Sequence, residues 1–260
     1  MYNQHVNSLG VVVTGAGNGI GRALALKLAS EGARVVVNDL DPQAVHAVAD
    51  SCGALAWPSD LATAAGVSGL IEAARDHLGE VDVYFSNAGL DVSAGLEATD
   101  DQWTRSMEVN VMAHVRAARL LIPAWLERGH GRFVVTASAA GLLTALQTAP
   151  YATSKHAAVG FAEWLSVTYG GRGIVVQAIC PLGVRTNMVA NADPAAIALV
   201  RDNLMEPEEV AERVWAAVQG DEFLILPHPA VADYYRSKAD DPEGWLRMMR
   251  KVQRRLDGPG

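Results

Sequence analysis

The sequence predicts a three-layer α/β fold built on a doubly wound parallel sheet, and three observations predict it. Short β-branched runs alternate with longer helical stretches, those runs are apolar almost without interruption, and the first leads through a glycine-rich turn straight into a helix. Parallel strands covered on both faces have no wet side, so they lose the apolar–polar alternation of a half-exposed sheet.

Taken in order, Val11-Val12-Val13-Thr14 reads as the first buried strand, followed by a helix over residues 20–31 with Ile20, Leu24 and Leu28 on one stripe. Gly32 stops that helix, and residues 34–38 make a second strand. Pro42 opens the next helix in its first turn, where a missing N–H costs nothing. Residues 81–85, 132–136 and 174–179 are further strands, each preceded by a helical stretch. Thr99-Asp100-Asp101-Gln102 has the form of a capping box and marks a helix start. Residues 222–226 make a last strand, ended by Pro227 and Pro229. With no repeat, low-complexity tract or linker, residues 1–260 are expected to form a single domain, its core over about 8–227 and a C-terminal helical extension over about 228–260.

A chain of 260 residues, half of them apolar, can bury a large core. Its net charge of −8 argues against nucleic acid as a partner, because phosphate binding asks for a basic stripe. Cys52 and Cys180 lie far apart and suit neither a disulfide framework nor a zinc site, so both read as small buried residues in a reducing compartment, and no metal is expected. The first ten residues lack an apolar signal-peptide core, and no apolar run approaches the ~18 residues that cross a bilayer. The expectation is a cytoplasmic protein without a membrane span.

The turn after the first strand reads Thr14-Gly15-Ala16-Gly17-Asn18-Gly19-Ile20-Gly21. Such a bend lets backbone N–H groups approach a pyrophosphate while the following helix N-terminus supplies positive potential, the device of Rossmann-type folds. Gly15, Gly19 and Gly21 matter by position, but the spacing is not G-x-G-x-x-G. A tight turn whose glycines only supply positive φ is the alternative. Asp39 shifts the balance. It ends the second strand about 20 residues on, where a carboxylate accepts from the adenosine ribose 2′-OH. A 2′-phosphate there would meet like charge, and neither Asn18 nor Leu40 is a cation that could hold one, so the expected cofactor is NAD in preference to NADP. Asp39 could instead cap the helix at Pro42, a duty for which Asp41 is better placed.

Tyr151-Ala152-Thr153-Ser154-Lys155 opens a long helical stretch that runs to about Tyr169, and residues four apart share a helix face. A free phenol titrates near ~10 and is a poor base at neutral pH, but a nearby ammonium and an oxidised nicotinamide ring favour phenolate. Tyr151 then serves as general base toward an alcohol or acid toward a ketone. Two amphipathic side chains on a half-exposed helix would show the same spacing. Ser138 lies just after the strand ending at Thr136, at the sheet edge where ligands sit, and its hydroxyl can donate to a substrate oxygen as charge develops. It could equally be a turn former in the run Ala137-Ser138-Ala139-Ala140-Gly141.

With these residues in place the chain resembles the short-chain dehydrogenase/reductase family over roughly residues 8–227. Thr14-Gly-x-x-x-Gly19-x-Gly21, Asp60-Leu61, Asn87-Ala88-Gly89, Asn110, Ser138 and Tyr151-x-x-x-Lys155 follow one another in the family's order. The resemblance implies that Tyr151 exchanges the proton with the substrate oxygen and that Ser138 orients and polarises it. Lys155 would hold the nicotinamide ribose hydroxyls and lower the tyrosine pKa, and Asn110 would position a water linking Lys155 to bulk solvent. Asp60 would contact the adenine amino group with Leu61 beside the ring, while Asn87, Ala88 and Gly89 line the cofactor. Without the resemblance, Asn87-Ala88-Gly89 reads as a turn and Asn110 as a helix surface residue.

The run Cys180-Pro181-Leu182-Gly183-Val184-Arg185-Thr186 keeps Pro181, Val184 and Thr186 at the family's cofactor positions, but Leu182 replaces the usual glycine and would make the pocket narrower and more apolar. After residue 227 the chain departs from the family's glycine-rich end. Asp241-Pro242 starts a helix with Trp245, Met248, Met249, Val252 and Leu256 on one stripe and Arg247, Arg250, Lys251, Arg254 and Arg255 elsewhere. Such a helix can lie on a membrane, dock on a neighbouring subunit or close over a pocket, the last two being favoured.

The expected pocket wall, residues 139–150, is mostly apolar and uncharged. A segment expected to be mobile after Thr186 adds Met188 and Val189, Ile197, Leu199 and Val200, then Leu204 and Met205. Such walls suit a hydrophobic secondary alcohol or ketone, unless these side chains are simply core or subunit contacts. Asp91 is either a contact for a polar substrate group or a solvated acid. The reading is an NAD-dependent oxidoreductase, expected as a homotetramer or dimer. The competing readings are an NADP-dependent ketone reductase and a non-catalytic NAD-binding sensor.

Overall fold

The computed structural model describes residues 9–190 and 203–257. Strand β1 (Gly10–Thr14) is buried along its whole length. Val11 and Val13 join one apolar cluster and Val12 the other, so a single run of valines feeds both faces of the sheet. Helix α1 (Gly19–Ser30) buries Leu24 and Leu28, and strand β2 (Arg34–Asn38) pairs in parallel with β1, Val12 opposite Val36. Helix α2 (Pro42–Cys52) has Pro42 in its first turn and is capped by Asp41, whose carboxylate accepts from the N–H groups of Gln43 and Ala44. That settles the division of labour between the two acids: Asp41 caps and Asp39 does not.

A two-residue strand, β3 (Leu55–Ala56), follows; so short a piece carries no periodic signature, and the sequence reading missed it. Helix α3 (Ala64–Leu78) leads to β4 (Val83–Ser86), which starts two residues later than expected; just before it, the Asp82 carboxylate accepts from the Gly10 N–H. Helix α4 (Asp100–Met107) begins with the expected capping box between Thr99 and Gln102. It runs through a π turn, Glu108–Met112, into α5 (Ala113–Arg128). Strand β5 (Gly131–Thr136), helix α6 (Ala149–Tyr169) and strand β6 (Ile174–Ile179) complete the second half.

Beyond β6 lie a small parallel pair, β7 (Gly183–Val184) with β8 (Leu204–Met205), the short helix α7 (Asn187–Ala190), helix α8 (Pro207–Ala217) and the last strand, β9. Strand β9 is confined to Leu224–Ile225, narrower than the expected 222–226. The main sheet has seven parallel strands in the order β3-β2-β1-β4-β5-β6-β9. One cluster packs Leu70, Ile71, Leu121 and Ala162 from α3, α5 and α6 on one face; the other packs Leu24, Val45, Val48 and Val214 from α1, α2 and α8 on the opposite face. This is the expected Rossmann-type, three-layer, doubly wound fold. Its strand order reverses between β1 and β4, and the crevice outside their carboxyl ends is where such folds bind ligands.

The C-terminal extension consists of α9 (Ala230–Asp240) and α10 (Pro242–Leu256), the latter capped by Asp241 as expected. Trp245 is buried and Met249 packs against the chain's own core, whereas Met248, expected on the same apolar stripe, is 44% exposed. Lys238 donates to the carbonyls of Leu142 and Leu143, tying α9 to the loop after β5. No helix among the described residues is long and apolar enough to cross a membrane. Cys180 is buried as expected, but Cys52 is only half-buried; both are free.

Candidate functional site

The glycine bend closes the crevice floor. Gly15 sits at φ +61°, in the left-handed region that a side chain resists. Gly21 is there for space, since a Cβ on it would run into the Gly15 carbonyl and the Asn87 side chain. Thr14 and Asn87 hold this bend to the turn after β4. The Thr14 hydroxyl accepts from the N–H groups of Asn87 and Ala88 at 2.9 and 3.0 Å, and the Asn87 amide donates to the carbonyls of Thr14 and Gly15. Asn87-Ala88-Gly89 is therefore a clamp as well as a wall. Nothing in the sequence pattern marked Thr14 for this part.

Asp39 stands at the end of β2 with its carboxylate accepting from the Gly17 N–H at 2.8 Å and the Asp41 N–H at 3.1 Å. Asn18, Gly19, Ile20 and Gly21 line the same crevice, and Thr186 lies close against Gly19 from the opposite side. Asp60 and Leu61 reach it as expected. The Asp60 carboxylate is also held by Arg105 at 2.9 Å, and that hydrogen bond keeps its carboxyl below the usual carboxylate range. Arg105 lies on α4, far from any motif, so only the folded chain reveals it as a crevice residue.

At the other end of the crevice Ser138, Tyr151 and Lys155 converge, with Pro181, Leu182 and Val184 opposite. Ser138 begins a short 3₁₀ turn, accepting from the Ala140 N–H at 3.1 Å, and its hydroxyl hydrogen-bonds Tyr151. Lys155 is 3% exposed; its ammonium donates to the Thr136 carbonyl at 2.9 Å and stands 5.7 Å from the centre of the Tyr151 ring. Burial dominates the proton affinities of this pair in the chain itself. Burial, then Asp91 and Cys180, push the Tyr151 phenol up to about 12 despite the Ser138 hydrogen bond. Burial also brings Lys155 down to about 8. A burial cost of this kind falls on whichever partner is charged, so phenolate at neutral pH needs more positive charge than the chain alone provides.

Asn110 is fully buried in the π turn, not on a helix surface. Its amide is saturated: Oδ1 accepts from the Leu90 N–H, and Nδ2 donates to the Leu90 carbonyl and the Ser154 hydroxyl, each at 2.9 Å. Asp91 is half-buried; it accepts from the Thr148 hydroxyl at 2.5 Å and the Ser93 N–H at 2.8 Å, fastening the loop after β4 to the start of α6.

The expected apolar wall is mostly elsewhere. Ala139, Leu142 and Leu143 belong to the core, and Leu204 and Met205 are occupied in β8. Met188, Val189 and Leu182 do line the crevice. Ile197, Leu199 and Val200 lie outside the described residues. A grouping of Glu80, Asp82 and His130 lies near the amino end of β4, away from the crevice, and both carboxylates pair with Arg128.

A glycine bend at the sheet's switch point, with a serine, a tyrosine and a lysine gathered in the same crevice, defines the class of Rossmann-type oxidoreductases. The family profile described as short chain dehydrogenase matches residues 10–196, and the chain belongs to that family. The 1-deoxy-11-beta-hydroxypentalenate dehydrogenase of Streptomyces exfoliatus is 35% identical over 246 residues, covering 91% of this chain and 89% of that protein. The cyclohexanol dehydrogenase of Acinetobacter sp. is 31% identical, covering 92% and 98%. The crystal structure of a short chain dehydrogenase/reductase from Burkholderia phymatum in complex with NAD superposes with a TM-score of 0.83 at 31% identity, covering 91% of this chain and 95% of that one.

Proposed function

We propose that this protein is an NAD-dependent oxidoreductase that interconverts a hydrophobic secondary alcohol and its ketone. The observation that carries the reading is the convergence of Ser138, Tyr151 and Lys155 in the crevice whose floor is the Gly15–Gly21 bend. The residues fit a dinucleotide. Gly15 and Gly19 line the crevice at positive φ, and a carboxylate rather than a cation stands at the end of β2. The Gly15–Gly21 bend with Asn18, Ile20 and Thr186 would hold the pyrophosphate half, Asp39 the adenosine ribose, and Asp60 with Leu61 the adenine. Asn87, Ala88, Gly89, Pro181 and Val184 would flank the nicotinamide half, with Tyr151 and Lys155 at its ribose.

When bound, such a cofactor supplies acceptance or return of a hydride at the carbinol carbon. The chain supplies the proton chemistry. Tyr151 removes the alcohol proton or returns it to the ketone oxygen. Ser138, already hydrogen-bonded to Tyr151, donates to the substrate oxygen as negative charge gathers on it. Lys155, buried and positive below about pH 8, offsets the phenolate. Leu182, Met188 and Val189 favour an apolar substrate body. Two relatives named for alicyclic alcohols point the same way. We place the protein in the cytoplasm as one domain that assembles as a homo-oligomer.

The test is a panel of secondary alcohols, cyclohexanol and larger ring alcohols among them, with NAD or NADP, following absorbance of the reduced nicotinamide. Turnover of ring alcohols with NAD, and weak or absent turnover with NADP, is expected. Preference for NADP would overturn the cofactor assignment, and inertness toward every alcohol and ketone would overturn the reaction.

A further inference from the structure

The backbone around Leu182 is held by a side chain from the start of the C-terminal extension. His228 stands between β9 and α9, is 3% exposed, and its carbonyl accepts from the Val231 N–H as α9 begins. Its Nδ1 accepts from the Leu182 N–H at 3.1 Å, and its Nε2 stands 3.0 Å from the Gly183 carbonyl oxygen. A backbone N–H only donates and a carbonyl only accepts, so Nδ1 is the bare nitrogen and Nε2 carries the proton. Both ring nitrogens are taken up by two consecutive residues of one segment. The sequence explains why a side chain is needed there. The Cys180 N–H donates to the Ile225 carbonyl, but Pro227 has no N–H to continue that ladder, and its carbonyl accepts from Arg213 of α8.

The imidazole thereby holds the substrate end of the crevice. Leu182 lines that crevice together with Met188 and Val189, opposite Ser138 and Tyr151, whereas His228 does not itself line it. The Pro181 carbonyl accepts from the Ala139 N–H at 2.8 Å, which joins the same segment to the turn that begins at Ser138. Residues 181–183 are therefore pinned from two sides, and their position fixes how far the Leu182 side chain reaches into the crevice. Burial lowers the His228 pKa and so favours the neutral ring that the two bonds require. The charges acting on it are Arg213 and Glu209 of α8, which pair with each other at 2.8 Å.

We propose that His228 is a positioning residue that sets the size of the alcohol the crevice accepts. Through its two bonds it holds the Leu182 side chain against the substrate, and a ring too large for the remaining space is excluded. This rests on the dehydrogenase reading for the identity of the substrate, but the hold on Leu182 is a property of the cofactor-free protein.

Two conservative variants separate the two bonds. H228N can accept from the Leu182 N–H but is too short to reach the Gly183 carbonyl. H228Q can donate to that carbonyl but leaves the Leu182 N–H without its acceptor. Hydrogen exchange of the Leu182 amide, read by NMR in the cofactor-free protein, is expected to be about tenfold faster in H228Q and near native in H228N. With NAD, the ratio of kcat/KM for decahydronaphthol to that for cyclohexanol is expected to rise about tenfold in H228Q and to stay native in H228N. L182A is expected to raise the same ratio, and adding H228Q to L182A to raise it no further, because both act through one side chain. A native exchange rate or an unchanged ratio in folded H228Q overturns the proposal, as does an equal fall in kcat/KM for both alcohols or an additive double variant. If exchange quickens in H228Q alone while neither the native chain nor any variant oxidises an alcohol, the dehydrogenase reading fails and the hold of His228 on Leu182 stands.

Discussion

The Gly17 N–H donates to the Asp39 carboxylate at 2.8 Å, which makes the glycine bend and the end of β2 one rigid unit. A 2′-phosphate brought to that carboxylate would meet a charge already fixed in place. Asp39→Ala is expected to raise the NADP-to-NAD ratio of kcat/KM by about tenfold, equivalent to about 1.4 kcal/mol. Adding Leu40→Arg, at a residue 62% exposed beside the crevice, should raise it further. Steady-state kinetics with both cofactors checks this, and an unchanged ratio would remove Asp39 from the selection.

Gly21→Ala tests the floor of the crevice. The added Cβ would press on the Gly15 carbonyl oxygen, a backbone atom that can yield only by reshaping the bend. A loss of about 1–3 kcal/mol in stability is expected, together with a clear loss of NAD affinity. Urea denaturation and titration calorimetry measure the two separately.

Lys155 gives a stability prediction with a definite sign. Burial lowers its pKa from 10.5 to about 8, so between those values the unfolded chain binds a proton that the folded chain has released. Its burial penalty is therefore full below pH 8 and fades as pH rises toward 10.5. Lys155→Met is expected to be inactive yet more stable than the native chain at pH 7, by at most about 3 kcal/mol, with the gap closing above pH 9. Denaturation curves at pH 7 and 9.5 check the trend; a gap that widens with pH would contradict it.

Trp245 fixes the C-terminal extension to the body, buried in the same cluster as Val231. Trp245→Ala is expected to cost about 3–5 kcal/mol while leaving NAD affinity unchanged, because Trp245 does not itself line the crevice. Thermal unfolding with and without NAD reads both.

How much of this was legible in the sequence depended on whether the signal was local. Val11-Val12-Val13 declared a strand buried on both faces because each valine needs an apolar partner whichever way it points, and the capping box at Thr99 declared a helix start in four residues. The crevice was legible where a motif follows a strand, as at Gly15 and Ser138. It was not legible where partners come from distant helices. Arg105 meets Asp60 across 45 residues, and His114 meets Ser86 across 28, and neither pairing leaves any periodic trace. The apolar run after Ser138 misled for a related reason: composition cannot say whether a leucine faces a pocket or the core, and Leu142 and Leu143 face the core.

The account rests on Tyr151 as the group that exchanges the substrate proton, and Tyr151→Phe tests it most directly. The substitution removes one hydroxyl from a half-buried ring and leaves Lys155 bonded to the Thr136 carbonyl. With the ring alcohol that the native chain turns over fastest, the variant is expected to bind NAD with native affinity by calorimetry and to lose kcat by about 10²–10⁴-fold, the range of general acid–base catalysis. Native turnover by a folded, NAD-binding Tyr151→Phe protein would contradict the account.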